Sequence, residues 1–194
     1  FRDTWWRRQA GLEIINYIQI NQKKNEAINL LDVATGTGLS LEEMFKIFKL
    51  FNVKVSATGL DYNNKMLAEA KNVTYERMKK NGSLEKGIRE IRFTKGDARN
   101  LTHTTDNSLE TFPKESFDAT TIMFGIGGVD SPLQAIKEQL LLLKQDGILV
   151  ITDIHKPIIE LNEKWPWFIG KKYVDAFLEN VNWEVVEENF KKAQ

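Results

Sequence analysis

Two glycines, Gly36 and Gly38 of "LDVATGTG", follow an apolar run that stops at Asp32. Glycine lets a backbone turn tightly and lets a ligand approach without a Cβ in the way. A helix that starts just after such a loop offers backbone N–H groups and the positive end of its dipole, so a carboxylate or phosphate is the natural guest. The loop reads as a cradle for a pyrophosphate or a charged nucleoside, or as a tight turn with no ligand. In "GTGLSL", Leu41 stands where the dinucleotide fingerprint has its third glycine, which weighs against a nicotinamide or flavin site.

Two further acids stand at spacings that suit a nucleoside. Asp61, in "GLDYNN", follows the loop by roughly 20 residues, the distance at which an acid holds ribose hydroxyls. Its other reading is a helix cap. Asp97, in "KGDARN", can accept from an exocyclic adenine amine while the N–H of Ala98 donates to a ring nitrogen. Its other reading is an Asx-turn.

The elements that must position these residues follow from periodicity. Helical patterns cover "WWRRQAGLEIINYIQI", with Trp5, Leu12 and Ile15 near helical spacing, and "LSLEEMFKIFKLF", with Leu41, Met44, Phe45 and Phe48 inward. A long helix runs through "NNKMLAEAKNVTYERMKKNG", with Asn63 as cap and Asn81-Gly82 as stop. Another covers "PLQAIKEQLLLLKQDG", with Pro132 in its first turn and Gly147 after its end. Strands fall at "AINLLDVA", "VKVSATGLD", "IREIRFTKGD", "FDATTIMF" and "ILVITDI". Residues Ala98 to Glu115 read as a polar loop, and "KPIIELNEKWPWFIGKKYVDAFLENVNWEVVEENFKKAQ" as one or two helices with no clear strand.

Strand and helix in alternation predict an α/β fold, a Rossmann-like doubly wound, mainly parallel sheet with helices on both faces. Length favours a single domain over 1–194. Such a sheet often closes with further strands, so the chain is expected to stop before them. Ligands bind at the carboxyl ends of strands near the reversal of strand order. The segments there are Asp32 to Gly38, Asp61 to Asn63, Asp97 to Arg99, Phe124 to Gly128, and Asp153 to His155.

Composition narrows the function. The 27 basic and 27 acidic residues cancel, which argues against a nucleic-acid partner. No cysteine is present, so disulfides and thiolate zinc sites are excluded. That is compatible with a cytoplasmic protein, and no metal site is expected. No apolar run approaches the roughly 18 residues of a membrane span. The aromatic clusters Trp5-Trp6 and Trp165 to Phe168 read first as core packing. They leave open an apolar pocket wall or a peripheral membrane contact. Arg7 and Arg8 read as solvated.

Taken together, these motifs resemble the class I S-adenosylmethionine (SAM) methyltransferases. "LDVATGTG" is similar to their first motif, "GLDYNNKMLAEAK" to the second, and "TKGDARNL" to the adenine-contacting segment. "FDATTIMFGIGGV", "LLKQDGILVITDIHKP" and the opening "DTWWRRQA" resemble the ubiquinone/menaquinone biosynthesis C-methyltransferases in particular. The resemblance covers roughly Thr4 to Pro157. It implies that Asp32, Ala34, Thr35, Gly36, Thr37 and Gly38 surround the methionine portion of S-adenosyl-L-methionine. Asp61 would bind the ribose, with Tyr62 and Met66 near the nucleoside, and Asp97 and Ala98 would read adenine. Met123, Phe124 and Gly125 would line the cofactor where the methyl group points.

One departure stands out. That family carries Arg-Asn after its Phe-Gly-aliphatic segment, where this chain has Gly127 and Gly128. The arginine is the family's candidate for promoting substrate deprotonation.

The implied reaction moves a methyl group to a small-molecule acceptor, with C-methylation of a quinone-like or aromatic compound as the leading form. A weakly acidic acceptor profits from a base. His155 is a candidate, though a surface or supporting position suits it better. His103 reads as a surface residue and Tyr173 as a half-buried helix residue, so no catalytic residue is assigned. The alternatives are an NAD(P)-dependent oxidoreductase on the same sheet, a non-catalytic SAM-binding module and, disfavoured by charge, an RNA methyltransferase.

Overall fold

The computed structural model describes residues 3–20 and 26–153. These belong to one unit, Phe1–Ile154. His155, Tyr173, the Trp165 to Phe168 cluster and the expected closing helices lie outside the described residues.

Five strands form one sheet: β1 (Ile28–Val33), β2 (Val55–Asp61), β3 (Arg89–Lys95), β4 (Phe117–Met123) and β5 (Leu143–Thr152). Their order is β3-β2-β1-β4-β5 and every pairing is parallel. That is the Rossmann-like doubly wound arrangement. The chain winds outward from β1 to β3, then returns to place β4 on the other side of β1. The reversal lies between β1 and β4, where Asp32 stands opposite Thr121.

The period-2 alternation of the strands sorts their side chains onto two faces. One face buries Ile28, Leu30, Ala57, Phe93 and Ala119 beneath α1 (Asp3–Ile20) and α2 (Leu39–Leu50). Leu41, Met44, Phe45 and Phe48 of α2 are fully buried there, as their spacing predicts. Each such side chain stabilises the fold by about 1.5–3 kcal/mol relative to leaving it in water.

Beyond β2 the same face is covered by a helix in three parts: α3 (Asn64–Glu69), a π-helical segment (Ala70–Thr74) and α4 (Tyr75–Lys80). Asn63 caps it by accepting from the N–H groups of Lys65 and Met66 at 2.9 and 3.4 Å. Gly82, at φ +71°, follows its end.

The opposite face buries Leu31, Val33, Leu60, Phe117 and Ile122 beneath α5 (Pro132–Leu142) and the segment after β3. That segment is more than the polar loop expected from its composition. Its Ala98, Leu101 and Phe112 are core residues, and Phe112 meets Phe117 edge-on at 5.2 Å. Buried Glu138 of α5 holds it in place by accepting from the backbone N–H and the hydroxyl of Thr102, both at 2.8 Å.

A second difference lies at the end of α5. The helix stops at Leu142, and β5 begins at Leu143, ahead of the expected "ILVITDI". The N–H groups of Glu115 and Ser116 reach the carbonyls of Leu141 and Leu142 at 3.1 and 2.9 Å. Those tertiary bonds satisfy the last-turn carbonyls that another helical turn would have used. Gly147 therefore lies inside β5, where the pairing with β4 slips.

Candidate functional site

Four strand-end segments, of β1, β2, β3 and β4, make up the candidate site. The loop after β1 alternates into left-handed backbone at Ala34, Gly36 and Gly38, with φ of 54°, 58° and 80°. It is pinned to β2 by the N–H of Thr35, which donates to the carbonyl of Leu60 at 2.9 Å. It is pinned to the π-helical segment by the hydroxyl of Thr74, which donates to the carbonyl of Thr37 at 2.7 Å.

Asp32 anchors this loop from within the sheet. It is buried, and its two carboxylate oxygens accept from the hydroxyls of Thr35 and Thr121, each at 2.6 Å. Burial pushes its pKa up from 3.8 to about 6, against the two hydroxyl donors and the positive charge of Arg7.

Asp61 faces the loop from β2. One oxygen accepts the N–H of Gly36 and the other the N–H of Asn63, both at 2.8 Å. The helix cap is Asn63, so the capping role considered for Asp61 belongs two residues on. Tyr62 and Met66 are exposed beside it, and Lys95 Nζ lies 5.4 Å from the centre of the Tyr62 ring.

Asp97, at the end of β3, does form an Asx-turn. Its Oδ1 accepts the N–H of Arg99 at 2.9 Å. The Arg99 side chain also returns to it, with Nε at 3.0 Å from Oδ1 and Nη2 at 2.8 Å from Oδ2. These bonds hold the Asp97 carboxyl below the usual carboxylate range. Arg99 reaches onward to Asp130 at 3.3 Å, in the segment after β4. Ala98 is packed into the second core cluster.

From the β4 side come Met123, buried in the first core cluster, and Phe124, whose φ of 57° is unusual for an aromatic residue. Gly125 follows, and a Cβ added to it would meet the Cβ of Ala34 at 2.8 Å. The Gly127 N–H donates to Asp153 at 3.0 Å.

Leu41 also finds its explanation. A Cβ at Gly59 of β2 would meet the Phe93 ring at 2.6 and 2.7 Å and Leu41 Cδ1 at 3.0 Å, so a glycine on the strand makes room both for the neighbouring aromatic ring and for the Leu41 side chain of the helix. The dinucleotide fingerprint places that glycine on the helix.

Two expectations are corrected. Trp5, read as a core residue, is 52% exposed and stacks edge-on with Trp6 at 4.7 Å. The phase of α1 that buries Ala10 and Ile14 turns Trp5 outward. Arg7, read as solvated, has a side chain only 14% exposed. Its guanidinium lies 4.9 Å from the centre of the Phe124 ring and Nη1 donates to the hydroxyl of Ser40. Arg8 fits its expectation better, pairing with Glu43 at 2.7 Å on the surface. Thr121, Thr74 and Ser40 also join the site without a sequence signal, because each matters only through a partner far along the chain.

His103 is exposed. Among the described residues, no group of three or more His, Asp or Glu side chains is placed to hold a metal ion. No described helix is long and apolar enough to cross a membrane.

The fold and the strand ends define a Rossmann-like α/β protein with its candidate site at the reversal of strand order. The profile of the ubiE/COQ5 methyltransferase family matches residues 6–181, and the chain belongs to that family. It is 31% identical over 155 residues to the demethylmenaquinone methyltransferase of Thermotoga maritima, covering 80% of this chain and 52% of that protein. It is 33% identical over 144 residues to the ubiquinone/menaquinone biosynthesis C-methyltransferase UbiE of Sinorhizobium fredii, covering 73% of this chain and 48% of that one. The chain thus spans about half the length of these relatives. The crystal structure of a SAM-dependent methyltransferase from Aquifex aeolicus shares the fold, with TM-score 0.51 at 19% identity over 92% of this chain and 87% of that one.

Proposed function

We propose that this chain binds S-adenosyl-L-methionine and transfers its methyl group to a small-molecule acceptor, a carbon of a quinone-like or aromatic ring. The observation that carries the reading is the setting of Gly36. Its N–H is held by Asp61, while a Cβ built on it would meet nothing within 4 Å. A loop residue fixed on one side and open on the other is suited to a ligand lying against the backbone.

The residues present fit the cofactor. The loop Ala34, Thr35, Gly36, Thr37 and Gly38 and the start of α2 suit a charged amino-acid arm. Asp61 keeps acceptor capacity beyond its two backbone bonds, which suits ribose hydroxyls. Tyr62 and Met66 offer apolar surface beside it. Asp97 and the Ala98 N–H suit the adenine edge, and Met123, Phe124 and Gly125 stand on the β4 side of the reversal point. When bound, SAM supplies a methyl group on a sulfonium, an electrophile with a good leaving group.

The chain's part is then to bind and orient, which alone supplies much of the rate of such a transfer. Asp32 holds the loop in shape; buried and bonded to two hydroxyls, it is sealed from any acceptor. His155 stays a candidate base. The same reading places the enzyme in the cytoplasm, with a peripheral membrane contact as its route to an apolar acceptor.

Calorimetric titration with S-adenosylhomocysteine and NADH, followed by assay of labelled SAM with a demethylated quinol, tests the reading. Binding of S-adenosylhomocysteine and label in the quinol are expected. Tight NADH binding alone would return the oxidoreductase, and binding without turnover across acceptors would leave a non-catalytic module.

A further inference from the structure

We propose that Arg7 anchors the carboxylate of the cofactor's amino-acid arm, an inference that rests on the SAM reading above. Arg7 comes from α1, outside every strand-end segment, yet it reaches the reversal point. A Cβ on Gly11 would stand 3.3 Å from Met44 Cα, so α1 lies directly on α2. One turn earlier, Arg7 Nη1 donates to Ser40 in the first turn of α2, and the guanidinium covers the ring of Phe124. Its charge is felt by Asp32 beneath the loop.

What the arginine lacks is a full set of acceptors. Its Nε–H is buried and has no hydrogen-bond partner among the described residues. Buried donors in folded proteins are nearly always paired, so such an N–H calls for an acceptor. Nε and Nη2 form one edge of the guanidinium fork, the geometry that takes a carboxylate through two parallel bonds. That edge meets Asp3 at 3.5 Å, longer than a good hydrogen bond.

The surroundings favour an anion at the same place. The N-terminus of α2, a helix of 12 residues, has no side-chain cap, since its N-cap is Gly38. Its dipole therefore adds to the charge of Arg7. The tie to Ser40, next to the loop proposed for the methionine portion, selects the cofactor's carboxylate over an oxygen of the acceptor.

The test compares two ligands that differ by that arm. S-adenosylhomocysteine carries the carboxylate, and 5′-methylthioadenosine has only the nucleoside and sulfur. Titrated into the full chain, Arg7→Gln is expected to weaken S-adenosylhomocysteine about 30-fold, the scale of a charge-assisted pair. Methylthioadenosine should bind as to the parent, which also reports an intact site. Arg7→Lys should recover part of the loss. Equal losses for both ligands would make Arg7 merely structural and overturn the proposal. Unchanged S-adenosylhomocysteine binding with lost methyl transfer would move Arg7 to the acceptor, and overturn it too. A parent chain that binds neither ligand would overturn the SAM reading itself, and this inference with it.

Discussion

The Cβ that Gly125 lacks would stand 2.8 Å from the Cβ of Ala34. These residues follow the two strands that flank the reversal point, and their backbones meet there with no room for a second side-chain atom. Gly125 has φ −124°, open to any residue, so its requirement is steric. Ala34 holds φ 54°, a conformation that costs an L-residue about 1–2 kcal/mol.

Gly125→Ala should therefore destabilise by about 1–3 kcal/mol through overpacking. Ala34→Gly should cost nothing and gain up to about 1 kcal/mol, because it relieves the left-handed backbone. Combined, the second change should cancel most of the first, a coupling of about 1 kcal/mol or more. Urea unfolding of the four proteins measures the cycle, and strict additivity would refute the contact.

Asp32 predicts an inverted pH dependence. Its folded-state pKa of about 6 lies above the ordinary 3.8, so the folded chain holds the extra proton between those values. That stabilisation is complete below the ordinary value and is lost as pH rises through about 6, to a total of about 3 kcal/mol. Asp32→Asn, which stays neutral and can still bond both threonine hydroxyls, should flatten this slope and match or exceed the parent at pH 7.5. Denaturant melts at pH 4.5, 6 and 7.5 decide it; an unchanged slope would place the proton elsewhere.

At Gly36 stability and binding should separate. Gly36→Ala puts a Cβ into open space but on left-handed backbone, at a cost of about 1 kcal/mol. The same Cβ projects where the proposed cofactor lies, so affinity for S-adenosylhomocysteine should fall tenfold or more. A thermal melt paired with a titration gives both numbers, and unimpaired binding would move the ligand off this loop.

The sign reverses at Asp97. Hydrogen bonds from Arg99 lower its carboxyl below the usual range, so the stability it contributes is present above the ordinary value and is lost as pH falls through the folded one. Arg99→Ala should shift acid unfolding to higher pH. Circular dichroism followed from pH 5 to 2 would show it, and coincident curves would mean the pair holds nothing.

Local rules made the doubly wound parallel sheet and the acids at strand ends legible. βαβ alternation dictates the winding, and an aspartate after an apolar strand falls at its carboxyl end whatever else surrounds it. Asn63 was readable as a cap because its bonds reach only two and three residues on. What escaped depends on distant partners. Leu101 and Phe112 sit in a stretch of polar composition and become core through α5 and β4. Arg7 beside Arg8 gives no hint which is buried until α1 is laid on α2. The start of β5 was hidden because Leu143, Lys144 and Gln145 continue a helical pattern that Glu115 and Ser116 interrupt from outside.

The π-helical turn at Ala70–Thr74 ties the geometry of the glycine loop to the length of a helix. An α-helix turns about 100° with each residue, and a π turn accommodates one residue more. Removing a residue from this stretch would let the helix relax to α, and would swing Thr74 away from the carbonyl of Thr37. The number of residues between the cap at Asn63 and Thr74 therefore helps to set where the glycine loop is held.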